Sequence, residues 1–221
     1  MLAKDLLSDV VPALKTSDTG LDALNWMEVF RVSHLPIVNN AEFLGLISDS
    51  DIYDFNKAEE PLGAHELSLM RPYVYYYQHI YDVIEIASRL KLTVIPVLNE
   101  NKEYMGVVTQ SDLLHKFADL IAAHTPGGIV ELELNEKDYS LSEISRIIED
   151  SEAKVLSFYV SKTDPDDRLS ITIKLNRSDI QPVLNAFDRY GYQVKTTYIG
   201  EGVNDIKARE NYEALMRYLN T

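Results

Sequence analysis

Two matching runs, Phe43–Ile52 and Tyr104–Leu113, each place a carboxylate three residues after a hydroxyl: Ser48 with Asp51, and Thr109 with Asp112. A carboxylate so placed accepts charge-assisted hydrogen bonds, the strong class among polar contacts. A hydroxyl ahead of a helix can satisfy the free N–H groups of its first turn. The same residues therefore admit two readings. They cap a helix whose dipole favours an acid in the first turn, or they offer an acceptor beside free backbone N–H groups to a ligand. Catalytic groupings are not found around them. The chain has no serine elbow, no Gly-rich phosphate loop and no metal-spaced cluster among His34, His65, His79, His115 and His124.

The two runs belong to a longer duplication. Phe43–Ile52 returns as Tyr104–Leu113, and Asp22-Ala-Leu with Leu35-Pro-Ile-Val38 returns as Asp82-Val-Ile with Ile95-Pro-Val-Leu98, 60 residues on. Past the Asn99–Glu103 turn the offset becomes 61, as for Gly45 and Gly106 or Asp51 and Asp112. A register held over so many positions marks two copies of one structural unit.

Each copy must supply the elements that position its acid. Ala3–Ser8 and Ala64–Met70 have helical character, and Pro12 and Pro72 each lead into a short strand, Ala13–Lys15 and Tyr73–Tyr77. Thr16–Gly20 is a turn with capping oxygens for a helix over Leu21–Arg31, whose apolar Leu21, Leu24 and Met27 recur at helical spacing. The matching helix is Tyr81–Leu90. Strands Leu35–Val38 and Phe43–Ile47 follow, answered by Val94–Leu98 and Tyr104–Val108, and a helix opens at Asp49 or Gln110.

This order, strand–helix–strand–strand–helix twice over, resembles the tandem CBS domain, or Bateman module, across about residues 1–120. The residues that carry the resemblance are Leu35-Pro-Ile-Val38 with Gly45-Leu-Ile-Ser-Asp-Ser-Asp51, and Val94-Ile-Pro-Val97 with Gly106-Val-Val-Thr-Gln-Ser-Asp112. It implies a regulatory module that binds adenosine-type ligands (AMP, ADP, ATP or S-adenosylmethionine) between the repeats. Asp51 and Asp112 match the carboxylate that takes both ribose hydroxyls, and Ser48 and Thr109 match the hydroxyl beside ribose or phosphate. Leu35-Pro36 and Ile95-Pro96 would frame adenine, because proline interrupts strand hydrogen bonding and leaves polar atoms for a base. His34 precedes the first of these and is the phosphate candidate, with Arg31, Arg89 and Lys91 behind it. So few cations favour AMP or an uncharged adenosyl compound over a triphosphate.

Alternation sends Tyr73, Tyr75 and Tyr77 to one face of their strand and Tyr76 to the other, for packing, base stacking or a subunit contact. Thr125-Pro-Gly-Gly128 then breaks the chain as a linker. Strands are expected at Ile129–Leu134, Lys154–Lys162, Leu169–Leu175 and Tyr192–Ile199, and helices at Leu141–Ser151 and Ser178–Tyr190, with a turn at Asp164–Asp167. That βαββαβ order is ferredoxin-like. After a CBS pair it resembles an ACT domain, and the whole arrangement resembles the acetoin-utilisation regulator group of bacterial proteins. Amino-acid-binding ACT domains carry a glycine before the first helix; here the loop reads Asn135-Glu-Lys-Asp-Tyr-Ser-Leu141. The resemblance thus implies a structural or dimer-forming role. Val203–Leu219 reads as an amphipathic helix.

The fold class expected is α+β, with repeats over residues 1–60 and 61–124, a linker at 125–128, an ACT-like domain at 129–200 and a C-terminal helix at 201–221. A net charge of −14 argues against nucleic acid as partner. The chain has no cysteine, no basic-then-apolar leader at its N-terminus and no apolar run of membrane-spanning length. These features point to a cytoplasmic protein without membrane contact, the missing catalytic motifs to one without catalysis, and the resemblance to a CBS pair implies a homodimer. The alternative is a scaffold that has lost its ligand and acts on a protein partner through its domains.

Overall fold

The computed structural model describes residues 1–55, 57–65, 69–163, 168–199 and 202–204. They fall into two compact units, Met1–Phe117 and Ala118–Thr221.

In the first unit, repeat 1 comprises α1 (Gly20–Phe30), β1 (His34–Asn39), β2 (Glu42–Ser48) and α2 (Asp49–Phe55). Repeat 2 comprises β3 (Val74–Tyr75), α3 (Ile80–Leu90), β4 (Val94–Leu98), β5 (Tyr104–Thr109) and α4 (Gln110–Leu120). Both hairpins are antiparallel, and the prolines hold matching registers, Pro36 opposite Leu46 and Pro96 opposite Val107. The expected strand over Ala13–Lys15 contracts to one bridge, Leu14 with Ile37, while β3 runs parallel to β4.

The helix boundaries follow from capping. Thr19 caps α1: its hydroxyl accepts the Asp22 N–H, while Asp22 Oδ2 accepts the Thr19 N–H and O–H. Arg31 and Lys91 end α1 and α3 in the left-handed conformation. The buried face of α1 is Gly20, Ala23 and Met27, and Leu21 is 49% exposed. Apolar spacing named the helix and its inward Met27 and Leu24, but not Leu21, because small Gly20 is what fits against Ile52 and Ala58.

Neither repeat completes its own core. Residues Ala3–Leu6 form a 3-10 turn that packs Ala3 and Leu6 into repeat 2, against Val74, Ile80, Val83 and Val108. The backbone agrees: Ala3 N–H donates to Gln78 O, and Ser8 N–H donates to Val107 O. Conversely, Leu62 and Leu69 join the core of repeat 1, and Leu46 N–H donates to Met70 O. The leading segment of each repeat thus docks on the other, so a division at residue 60 separates the sequence but not the packing. The helical stretch expected over Ala64–Met70 is instead a 3-10 turn at Leu62–Ala64 with Met70 in a bridge; residues 66–68 lie outside the described ones.

The strand expected over Tyr73–Tyr77 shortens to β3, and the tyrosines in and beside it stack as a ladder. Tyr75 and Tyr77 rings are parallel with centroids 5.4 Å apart, Tyr73 meets Tyr75 edge-on, and the Tyr76 hydroxyl donates to Glu100.

The second unit contains β6 (Ile129–Asn135), α5 (Leu141–Asp150), β7 (Val155–Thr163), β8 (Arg168–Leu175), α6 (Gln181–Arg189), β9 (Val194–Ile199) and β10 (Gly202–Asn204). The sheet order β10-β9-β6-β8-β7, antiparallel throughout, contains the ferredoxin-like βαββαβ arrangement. Every second residue of β6 and β8 (Val130, Leu132, Ile171, Ile173) meets Ile144, Ile148, Val183 and Phe187 of the helices. Gly128, expected in a linker, is buried in this unit: its N–H donates to Arg177 O and its carbonyl accepts from Leu175 N–H. Val203, expected in a terminal helix, lies in β10; residues 205–221 and the Asp164–Asp167 turn lie outside the described residues.

Candidate functional site

The two hydroxyl–acid pairs form the same local structure. Thr109 Oγ1 donates to Asp112 Oδ2 at 2.7 Å and accepts the Asp112 N–H at 3.0 Å. Ser48 Oγ donates to Asp51 Oδ2 at 2.7 Å and accepts the Asp51 N–H at 3.2 Å, while Ser48 N–H donates to Asp51 Oδ2 at 2.8 Å. Each box closes the first turn of α4 or α2. Thr19 and Asp22 make the same box on α1, so the pattern itself reports a helix start. Capping does not exhaust the acid: a carboxylate has about four lone-pair sites, and the contact from Thr109 Oγ1 uses one on Asp112 Oδ2.

What separates Asp112 from the other acids is its surroundings. A cavity of about 850 Å³ opens between the repeats, with Asp112, Thr109, Gln110 and Ser111 on its wall. Repeat 1 contributes Val10, Val11, Val32 and the residues on either side of the α1 terminus, Phe30 and Arg31. Ile84, Ala87 and Ser88 of α3, at helical spacing, and Leu113 of α4 complete an apolar lining. Thr109 is 6% exposed, anchored at the end of β5, whereas Asp51 on α2 is exposed.

The expected adenine frame is not on this wall. Leu35 and Ile95 are fully buried in the cores of the two repeats, and Pro36 and Pro96 are buried with them. Pro36 O accepts the Leu14 N–H, so that carbonyl is already satisfied within the fold. None of the four residues lines the cavity, whose apolar wall includes Val10, Val11, Val32 and Ile84 instead. Hydrophobic residues at a core period and those lining a cleft look alike in sequence.

His34 is also placed differently from expectation. Its half-buried ring faces the seam, with Nδ1 3.0 Å from Thr93 Oγ1, and it does not line the cavity of Asp112. Burial lowers its pKa, against an opposing pull from Asp49 and Asp51, which disfavours the imidazolium that a phosphate would pair with. Arg31 is the cation that the left-handed cap of α1 delivers to the cleft. In the second unit a hollow of about 550 Å³ adjoins the glycine-free loop after β6. There the Tyr192 hydroxyl donates to Glu143, and burial, more than that contact, pushes its pKa up to about 12.

A family model for the CBS domain matches residues 3–57 and 67–119. The first unit is accordingly a tandem pair of CBS domains, and a βαββαβ unit follows it in the chain. Among solved structures it is similar to a CBS domain pair/ACT domain protein from Thermotoga maritima, at 18% identity over 54% of this chain and 98% of that one, with a TM-score of 0.48. It is similar also to a protein assigned to acetoin utilization (AcuB) from Vibrio cholerae, at 22% identity over 56% and 95%, TM-score 0.47. A structure of CBSX2 in complex with AMP matches at 19% identity over 53% and 96%, TM-score 0.45. Among the described residues, no helix is long and apolar enough to cross a membrane, and no His/Cys/Asp/Glu cluster could hold a metal ion.

Proposed function

We propose that this chain is a non-catalytic regulatory protein that binds an adenosine-type ligand between its CBS repeats, with Asp112 as the ribose acceptor. The observation that carries this reading is the cavity of about 850 Å³ drawn from both repeats, apolar on most of its wall and bearing Asp112 at the start of α4. Thr109 holds the carboxylate through Oδ2, and the acceptor sites left over suit two adjacent hydroxyls. The apolar wall suits a purine ring. Among the described lining residues Arg31 is the one cation, which favours AMP or S-adenosylmethionine over ADP or ATP. Asp51 with Ser48 would serve a second, weaker site.

In this reading the protein is a cytoplasmic homodimer. The βαββαβ unit is an ACT-like element that dimerises and passes the ligand state to a protein partner. Ligand must then bind one arrangement of the protein better than another. A second reading, a ligand-free scaffold, draws on the capping box of Thr19 and Asp22, where the same pattern is purely structural. Titration calorimetry on ligand-free protein with AMP, ADP, ATP and S-adenosylmethionine separates them. Saturable heat with AMP or S-adenosylmethionine supports the sensor; no heat with any of the four leaves the scaffold.

A further inference from the structure

The seam between the repeats carries a contact that the duplication alone would not produce. Ser33 and Thr93 are equivalent residues, 60 apart, and they meet: Ser33 N–H donates to Thr93 Oγ1 at 2.9 Å. The Thr93 hydroxyl keeps one proton to donate, and His34 Nδ1 lies 3.0 Å from it. Thr93 N–H also points at the same nitrogen, at 3.5 Å. The Thr93 N–H contact needs a lone pair on Nδ1, which the imidazolium lacks, while the Thr93 hydroxyl can either donate to Nδ1 or accept from it. At the position equivalent to His34 the second repeat has Val94, so the clasp exists on one side of the pair only.

That side leads to the cleft. Thr93 lines the cavity of Asp112, and Thr93 O accepts the N–H of Gln110, the first residue of α4. The geometry points to His34 and Thr93 as positioning residues that hold the cleft wall in its binding shape, so that protonation of His34 lowers ligand affinity. The inference rests on the adenosine-type reading of that cleft. A protonated ring would set Nδ1–H against Thr93 N–H, donor against donor, and turn the Thr93 hydroxyl into its acceptor, so that Thr93 and the start of α4 shift against repeat 1. Asp49 and Asp51 on α2 are the charged groups that act on the ring, favouring the imidazolium, and Thr93, just ahead of β4, meets it uncharged. Burial outweighs the two acids and holds the ring's pKa below 6.5.

Adenosine is the probe, because it carries no phosphate that titrates near neutral pH. Its affinity for the full chain is measured by calorimetry from about pH 8 to about pH 5.5, the range in which histidines change charge. The wild type should weaken as pH falls below 6.5, by at most about tenfold per pH unit, the limit for one linked proton. His34→Gln, whose side-chain oxygen can still accept from Thr93 without titrating, should give a flat profile, as should Thr93→Val. A flat wild-type profile overturns the clasp and leaves the ligand site standing. Absence of binding at every pH, with AMP included, counts against the ligand site instead. The clasp is then judged by NMR of the ligand-free chain, where the Thr93 amide must shift with the His34 ring titration; an amide that ignores the ring overturns it.

Discussion

Replacing Asp112 with alanine, beside the same change at Asp22, separates a binding carboxylate from a capping one. Both acids close a hydroxyl–x–x–acid box with near-identical geometry: Thr19 Oγ1 to Asp22 Oδ2 is 2.6 Å and Thr109 Oγ1 to Asp112 Oδ2 is 2.7 Å. Loss of the box at α4 should cost about 0.5–2 kcal/mol of stability, and Asp22→Ala should destabilise in the same direction. Ligand binding must then diverge, since only Asp112 lines the cleft. Two hydrogen bonds to a charged acceptor contribute about 1.5–3 kcal/mol each. Losing them weakens binding by about a hundredfold or more. With ligand at about 100 times the wild-type Kd, the wild type and Asp22→Ala gain about 2.7 kcal/mol by mass action. Asp112→Ala, with ligand then near its own Kd, gains about 0.4 kcal/mol. Thermal melts with and without AMP read these differences directly. Equal ligand-induced shifts in the two variants would refute a binding role for Asp112 and reduce it to a helix cap.

Three further outcomes are expected. Gly45 and Gly106 are equivalent, with φ of +151° and +145°, but a Cβ on Gly45 would lie 2.5 Å from Leu69 Cβ and 2.9 Å from Met70 O, whereas on Gly106 it would meet only the end of Leu7 at 3.1 Å. Alanine at either position incurs about 1–3 kcal/mol of backbone strain, and Gly45→Ala should add about 1–3 kcal/mol of overpacking; urea unfolding that ranked them the other way would contradict the packing of Leu69 and Met70 on repeat 1. The folded-state pKa of His34 is depressed below 6.5, so the unfolded chain binds the proton more readily. Its stabilising contribution is therefore whole above pH 6.5 and is lost as pH falls below it, and His34→Gln should remove that part of the pH dependence in denaturant titrations. Phe187 is fully buried between sheet and helices of the second unit; Phe187→Ala should cost about 3–5 kcal/mol there, read as a lowered unfolding midpoint.

The duplication, the order of elements and the βαββαβ unit were all legible in the linear chain. Strand alternation, helix capping and turn residues are local signals, and residues such as Thr19, Pro36 and Gly45 carry them wherever the chain goes. The hydroxyl–acid pairs were legible too, but only as a pattern. Three of these boxes, at Asp22, Asp51 and Asp112, look alike in sequence, and Asp112 alone among them stands on the cavity between the repeats. That distinction came from tertiary structure, because a cavity is a relation among segments far apart in sequence, here Val10 and Arg31 with Ile84 and Asp112. The exchange of leading segments was hidden for a related reason. Ala3 and Leu6 are apolar enough to bury in either repeat, and the choice of partner rests on which core has room for them. Likewise Leu35 and Ile95 read equally well as cleft or core, and long-range packing placed them in the core. Local physical chemistry wrote the list of elements; the meeting of distant surfaces decided which acid faces a cleft and which histidine bridges the seam.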